Sequence, residues 1–102
     1  MTSPVTVTNT PVIVAPINPR RVRIFLQNTG TTKTFFKKQS STSVPNIPSA
    51  TNYDFILWDT EENGIRQIEV ETTSGFNAIT ATATPTTIAV FETVVPSSSG
   101  YR

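Results

Sequence analysis

The sequence contains neither cysteine nor histidine. Without thiols there is no disulfide framework and no thiolate nucleophile, and cysteine usage says nothing about redox compartment. Without imidazole, Ser-His-Asp and Cys-His catalytic arrangements are excluded, as is any metal site built on sulfur or ring nitrogen. Long apolar runs are missing too: no stretch approaches the ~18 residues of a membrane helix. The opening MTSPVTVTNT has neither the basic nor the apolar region of a secretory signal. These absences predict a soluble chain made in the cytoplasm, with no cofactor and no membrane partner.

Acid is missing from the first half. The first carboxylate is Asp54, so residues 1–52 hold six Lys and Arg and carry +6, while residues 53–102 hold seven acids against Arg66 and Arg102 and carry −5. The net charge of +1 hides this division. If the halves fold together, ion pairing absorbs much of it. If they lie on different faces, the molecule is a dipole suited to docked or head-to-tail association.

Thr and Ser together exceed a quarter of the 102 residues, and hydrophobic residues make up 36%. A chain of this length forms one core and buries about 60 to 70% of its unfolded surface. Thr, Val, Ile and Phe favour strands, whereas Ala and Leu fall outside any helical period. Turn residues recur at the spacing of a sandwich or barrel. The pattern predicts about eight short strands in an all-β, small antiparallel β-sandwich, with a jelly-roll-like form among its candidates, and an extended N-terminal arm.

Residues 1–19, with prolines at 4, 11, 16 and 19, read as that arm or as edge strands, because proline cannot donate to a ladder. Residues 20–95 form the sandwich domain, and residues 96–102, PSSSGYR, a flexible tail. In VRIFLQN, parity points Val22, Ile24 and Leu26 to the core and Arg21, Arg23, Phe25 and Gln27 outward. Residues 21–39 read as one hairpin turning at Asn28-Thr29-Gly30. Residues 40–52 read as a loop. Residues 53–71 read as a second hairpin, in which Asn63-Gly64 supplies the positive φ of a type I′ turn. In TIAVFETVV, Ile88 and Val90 share one side, and Val94 is a candidate for the same side.

Three chemistries deserve weighing. Asp59, Glu69 and Glu71 would converge across the second hairpin, and paired carboxylates hydrolyse glycosides. Exposed acids on a hairpin are more often a solubilising face, so no catalytic residue is assigned and the chain is read as a non-enzyme. Asp59 to Gly64, DTEENG, opens like a calcium loop, but Val70 stands where the bidentate acid belongs and no metal ligand is assigned. Arg21, Arg23 and Phe25, joined by Phe35 and Lys37, have the cations and rings of a single-strand-binding sheet. The acidic half and a pI near 8.1 argue against nucleic acid as the partner. Trp58, the only tryptophan, reads as a core or rim anchor or else an interface residue.

In VIVAPINPRRVRIFLQNTGTTKTFF, the short strand VIV, the turn Asn18-Pro19-Arg20-Arg21, the strand at residues 22–27 and Asn28-Thr29-Gly30 resemble small structural proteins of tailed bacteriophages. The stretch VETTSGFNAITATATPTTIAVFETV is similar to the closing strands of such proteins. The resemblance implies a capsid decoration or cement protein that binds the outer shell and reinforces it against internal DNA pressure. Its partners would be the major capsid protein and itself, as a trimer or dimer, at the capsid surface of the virion. A phage tail, head-fibre or adaptor component is the alternative within that class; a single-stranded nucleic-acid-binding β-domain is the alternative outside it. On this reading Arg20, Arg21, Arg23, Phe25, Lys37, Lys38 and Trp58 are the candidate protein-interface residues.

Overall fold

Alternating apolar and polar β-formers produce strands wherever one face can be buried. The computed structural model describes residues 4–39 and 47–95 and contains eight of them. They are β1 (Val5–Val7), β2 (Val12–Ala15), β3 (Arg21–Asn28), β4 (Thr34–Gln39), β5 (Phe55–Leu57), β6 (Gln67–Val70), β7 (Gly75–Thr80) and β8 (Thr86–Val94). Two antiparallel four-stranded sheets result, ordered β1-β8-β3-β6 and β2-β7-β4-β5. The first strand pairs with the eighth, the second with the seventh, the third with the sixth and the fourth with the fifth. This nested order is one long hairpin wound into a sandwich, the jelly-roll arrangement.

The core lies between the sheets. Ile24, Leu26, Ile88 and Val90 enter from one side, and Val14, Phe36, Leu57 and Phe76 from the other. Phe55 packs edge-on to Phe36 at 4.9 Å and stacks on Phe76 at 5.8 Å. Each such side chain contributes about 1.5–3 kcal/mol through removal from water.

Neither expected hairpin exists. β3 and β4 belong to opposite sheets, as do β5 and β6. Inward residues of β3 and β4 meet across the core instead of lying side by side, which satisfies the same alternation without pairing their backbones. The turn residues between them are equally compatible with a corner. β4 and β5 are the consecutive strands that do pair, through the connection that includes the expected loop. Of that loop, residues 40–46 lie outside the described residues; residues 49 and 52 form an isolated bridge.

Of the two forms expected for residues 1–19, the described part takes the edge strand. β1 borders one sheet and β2 the other, so this segment belongs to the sandwich. The tail at residues 96–102 lies outside the described residues.

The parity of β3 also differs at its start. The register slips between Arg21 and Arg23, a bulge that puts two residues against one. Arg21 therefore turns inward and is 3% exposed, while Val22 turns out and is 41% exposed. From Ile24 onward the expected alternation holds.

Candidate interaction surface

The inward turn of Arg21 removes it from the outer face. Its Nη1 donates to the Ser74 carbonyl at 2.6 Å and its Nη2 to the Pro16 carbonyl at 2.7 Å, with Glu92 at 3.5 Å. Three segments are thus held by one planar, pre-organised fork. Arg21 is a structural clamp and not an interface residue. Arg20 stays exposed, and its Nη2 donates to the Val95 carbonyl at 2.6 Å.

The remaining outward residues of β3 meet neighbours on both sides. Arg23 lies 3.7 Å from Glu69 and 3.4 Å from Glu71. Phe25 sits directly opposite Phe91 of β8, ring centroids 5.7 Å apart. Gln27 faces Gln67, with a hydrogen bond of 3.4 Å. The outer face of this sheet therefore carries two rings flanked by an arginine–carboxylate cluster and a pair of amides.

On the other sheet, Lys37 lies 3.8 Å from Asp54, and the Lys38 backbone N–H donates to the same carboxylate at 2.7 Å. Phe35 points away from the core and is nonetheless buried, with Tyr53 at 5.3 Å. Lys33 places its ammonium 4.7 Å from the Trp58 ring and 5.6 Å from Phe35. Trp58 packs between this ammonium and Gly64, where any Cβ would strike the indole. It is a half-buried rim anchor. Gly64 serves this close approach, since its backbone is not left-handed as a type I′ turn requires.

Each of the four ion pairs among the described residues joins a cation of residues 1–52 to an acid of residues 53–102. The charge division of the sequence is thus partly paired within the molecule, Arg21, Arg23 and Lys37 meeting Asp54, Glu69, Glu71 and Glu92. The proposed carboxylate trio also separates: Glu69 and Glu71 flank Arg23 on one sheet, while Asp59 follows β5 of the other. No group of three acids suited to a metal ion occurs among the described residues.

No family model, curated protein or solved structure matches this chain.

What parity reasoning missed is an apolar margin. Val22, Phe91, Val94 and Val95 are all exposed, and Val94 is the register partner of Arg21, next to Val22. Val94 was a candidate for the core side, but β1 ends its pairing at Ile88 and nothing from that strand covers the last turn of β8. Two concavities complete the surface. One of about 440 Å³ runs beside β2, between Ile13, Ile17 and Ile47 over Asn77. The other, of about 350 Å³, opens between Val14 and Pro16 of one sheet and Val90, Glu92 and Val94 of the other.

Proposed function

We propose that this protein is a non-enzymatic structural subunit of a tailed-phage virion, a decoration or cement protein that docks on the outer capsid shell. The observation that carries this reading is the outer face of the β1-β8-β3-β6 sheet, where Phe25 pairs with exposed Phe91 at 5.7 Å, while Val22, Val94 and Val95 are exposed at one end of the same two strands. An apolar centre with a polar rim of Arg23, Glu69, Glu71, Gln27 and Gln67 has the anatomy of a protein-binding patch. The ion pairs favour protein over nucleic acid, because Arg23 and Lys37 already face carboxylates and have little charge left to attract phosphates. The resemblance of NPRRVRIFLQNTG to phage structural proteins supplies the shell as the partner.

The role is mechanical. Subunits spanning adjacent capsid proteins add interface area, and copies joined to one another gain avidity, because later contacts become intramolecular. Docking contacts move from the basic residues to the apolar centre, with Arg20 and Arg23 at its margin.

Locating the protein in purified virions tests the assignment, followed by co-sedimentation with emptied shells. Binding to the outer shell that is lost in Gln27→Lys/Gln67→Lys and kept in Ile13→Lys is the expected result. Localisation to the tail, absence from virions, or tight salt-sensitive oligonucleotide binding that Arg23→Ala abolishes would overturn it.

A further inference from the structure

The chain has seven asparagines, and Asn63 alone is followed by glycine. The backbone nitrogen of a following residue can attack an asparagine Cγ and close a five-membered ring. A side chain on that residue crowds the approach, and glycine has none. Asn18 precedes Pro19, which has no N–H to lose. Asn28 and Asn77 are buried, and their amides donate to Thr32, Leu57 and Gln39. Asn9, Asn46 and Asn52 precede Thr10, Ile47 and Tyr53, whose side chains crowd the nitrogen.

The fold leaves Asn63 open as well. It is exposed in the turn between β5 and β6, where its N–H points to the Thr60 carbonyl at 3.3 Å. Among the described residues its side-chain amide has no hydrogen-bond partner, and the Gly64 N–H donates to no carbonyl. Nucleophile and electrophile are therefore neighbours in one turn, and no competing bond holds either apart. The points where the described chain breaks off lie toward the other end of the sandwich. Thr34 pairs with Leu57, just before this turn, whereas Gln39 at the far end of β4 pairs with Gly75. Val95 meets Arg20, ahead of β3, whereas Arg66 meets Asn28 at the end of β3.

We propose that Asn63 is a self-modification site, converted in the folded protein to aspartate and isoaspartate with water as the co-reactant. The Gly64 nitrogen gives up its proton to solvent base and bonds to Asn63 Cγ; the Cγ–Nδ2 bond breaks and ammonia leaves. Water then opens the cyclic imide at one of its two carbonyls. Attack at Cγ returns the ordinary backbone with an aspartate side chain. Attack at the main-chain carbonyl routes the backbone through Cβ and Cγ, which is isoaspartate, one methylene longer. Both products add a carboxylate to a turn that already carries Asp59, Glu61 and Glu62.

The longer product has a mechanical consequence. The turn is closed by the Trp58 N–H donating to the Ile65 carbonyl at 2.8 Å, and Gly64 lies so near the indole that a Cβ would strike it. An extra main-chain atom inside that closure shifts Gly64 against the ring and disturbs the Lys33 ammonium 4.7 Å away on it. Trp58 thus reports the chemical age of the turn.

The inference is independent of the shell assignment and is read in pure protein. The full chain is incubated folded at mildly acidic and mildly alkaline pH, and unfolded in urea at the alkaline pH, then mapped by mass spectrometry. Asn63 is expected to exchange its amide for hydroxyl about tenfold or more faster than Asn9 or Asn52. The reaction should quicken at alkaline pH, because the attacking nitrogen must be deprotonated. In the folded chain it should run no more than about tenfold slower than in urea, since a surface turn rearranges locally. Trp58 emission should shift in step with the isoaspartate fraction. Asn63→Gln should block both changes, and freshly made Asn63→Asp, which has the charge without the extra methylene, should keep the original emission. An Asn63 amide that persists in the folded chain but is lost in urea overturns the proposal, as does faster loss at another asparagine. Isoaspartate at position 63 with unchanged emission overturns the link to Trp58.

Discussion

The Thr86 hydroxyl donates to the Asn28 side-chain carbonyl at 2.7 Å, both residues buried and 58 positions apart in the chain. The same carbonyl accepts the Gly30 N–H at 3.0 Å, and the Asn28 amide donates to the carbonyls of Thr32 at 2.8 Å and Leu57 at 3.1 Å. Two donors and two lone pairs are thereby used, the full capacity of an asparagine side chain. One residue fastens the β3–β4 corner to the end of β5 and the start of β8. The Asn28-Thr29-Gly30 signal, expected to close a hairpin, closes the sandwich.

Asn28→Ala should therefore destabilise the fold by about 2–4 kcal/mol, since it strands several buried partners at once. Thr86→Val should cost only about 1 kcal/mol, because Gly30 still donates to the Asn28 carbonyl. The double variant should lose less than the sum of the two, as residues sharing one network do. Chemical denaturation of the four chains measures this.

Gly30 sits against Thr86 so closely that an added Cβ would meet both its hydroxyl and its backbone, Cα at 2.9 Å. Gly30→Ala should destabilise by about 1–3 kcal/mol through overpacking. Trimming the neighbour in Gly30→Ala/Thr86→Ser should not restore stability, because the backbone contact remains. Thermal unfolding distinguishes the two outcomes.

Arg21 and Arg23 stand two residues apart and should respond oppositely to mutation. Arg21→Ala removes donors to two carbonyls and leaves Glu92 without its cation, a loss of about 2–4 kcal/mol. Arg23→Ala breaks half-exposed ion pairs and should change stability by less than about 1 kcal/mol. Added salt should narrow the Arg23 effect and leave that of Arg21 nearly unchanged. Denaturation at low and high salt checks both.

Lys33 reports on Trp58, the only fluorophore of its kind in the chain. Removing the ammonium 4.7 Å from the ring in Lys33→Met should shift the indole emission and cost about 0.5–1 kcal/mol. Gly64→Ala should shift the same emission more strongly, because its Cβ displaces the indole. Emission spectra of the folded variants provide the readout.

The strands were legible because their signal is local. Alternation in VRIFLQN and TIAVFETVV puts Ile24 with Leu26 and Ile88 with Val90 on one side of their strands before any partner is known, and those sides form core. The β-sandwich class follows from the same pattern and its turn spacing. Candidate interface residues fared less evenly. Phe25 lies outward as parity requires, whereas Arg21 follows a bulge that no local signal announces.

The sequence alone determined that this chain makes eight strands, which of their faces are mostly apolar, and that its cations and acids lie in separate halves. Those properties depend on neighbours within a few residues or on composition. Only the tertiary structure decided which strands pair, that both expected hairpins cross between sheets, and that cations of the first half pair with acids of the second. The reason is that burying a given face is equally well satisfied by several partners. The choice among them rests on contacts far apart in sequence, such as Asn28 with Thr86 and Arg21 with Glu92, whose free energy exists only when the whole sandwich is closed.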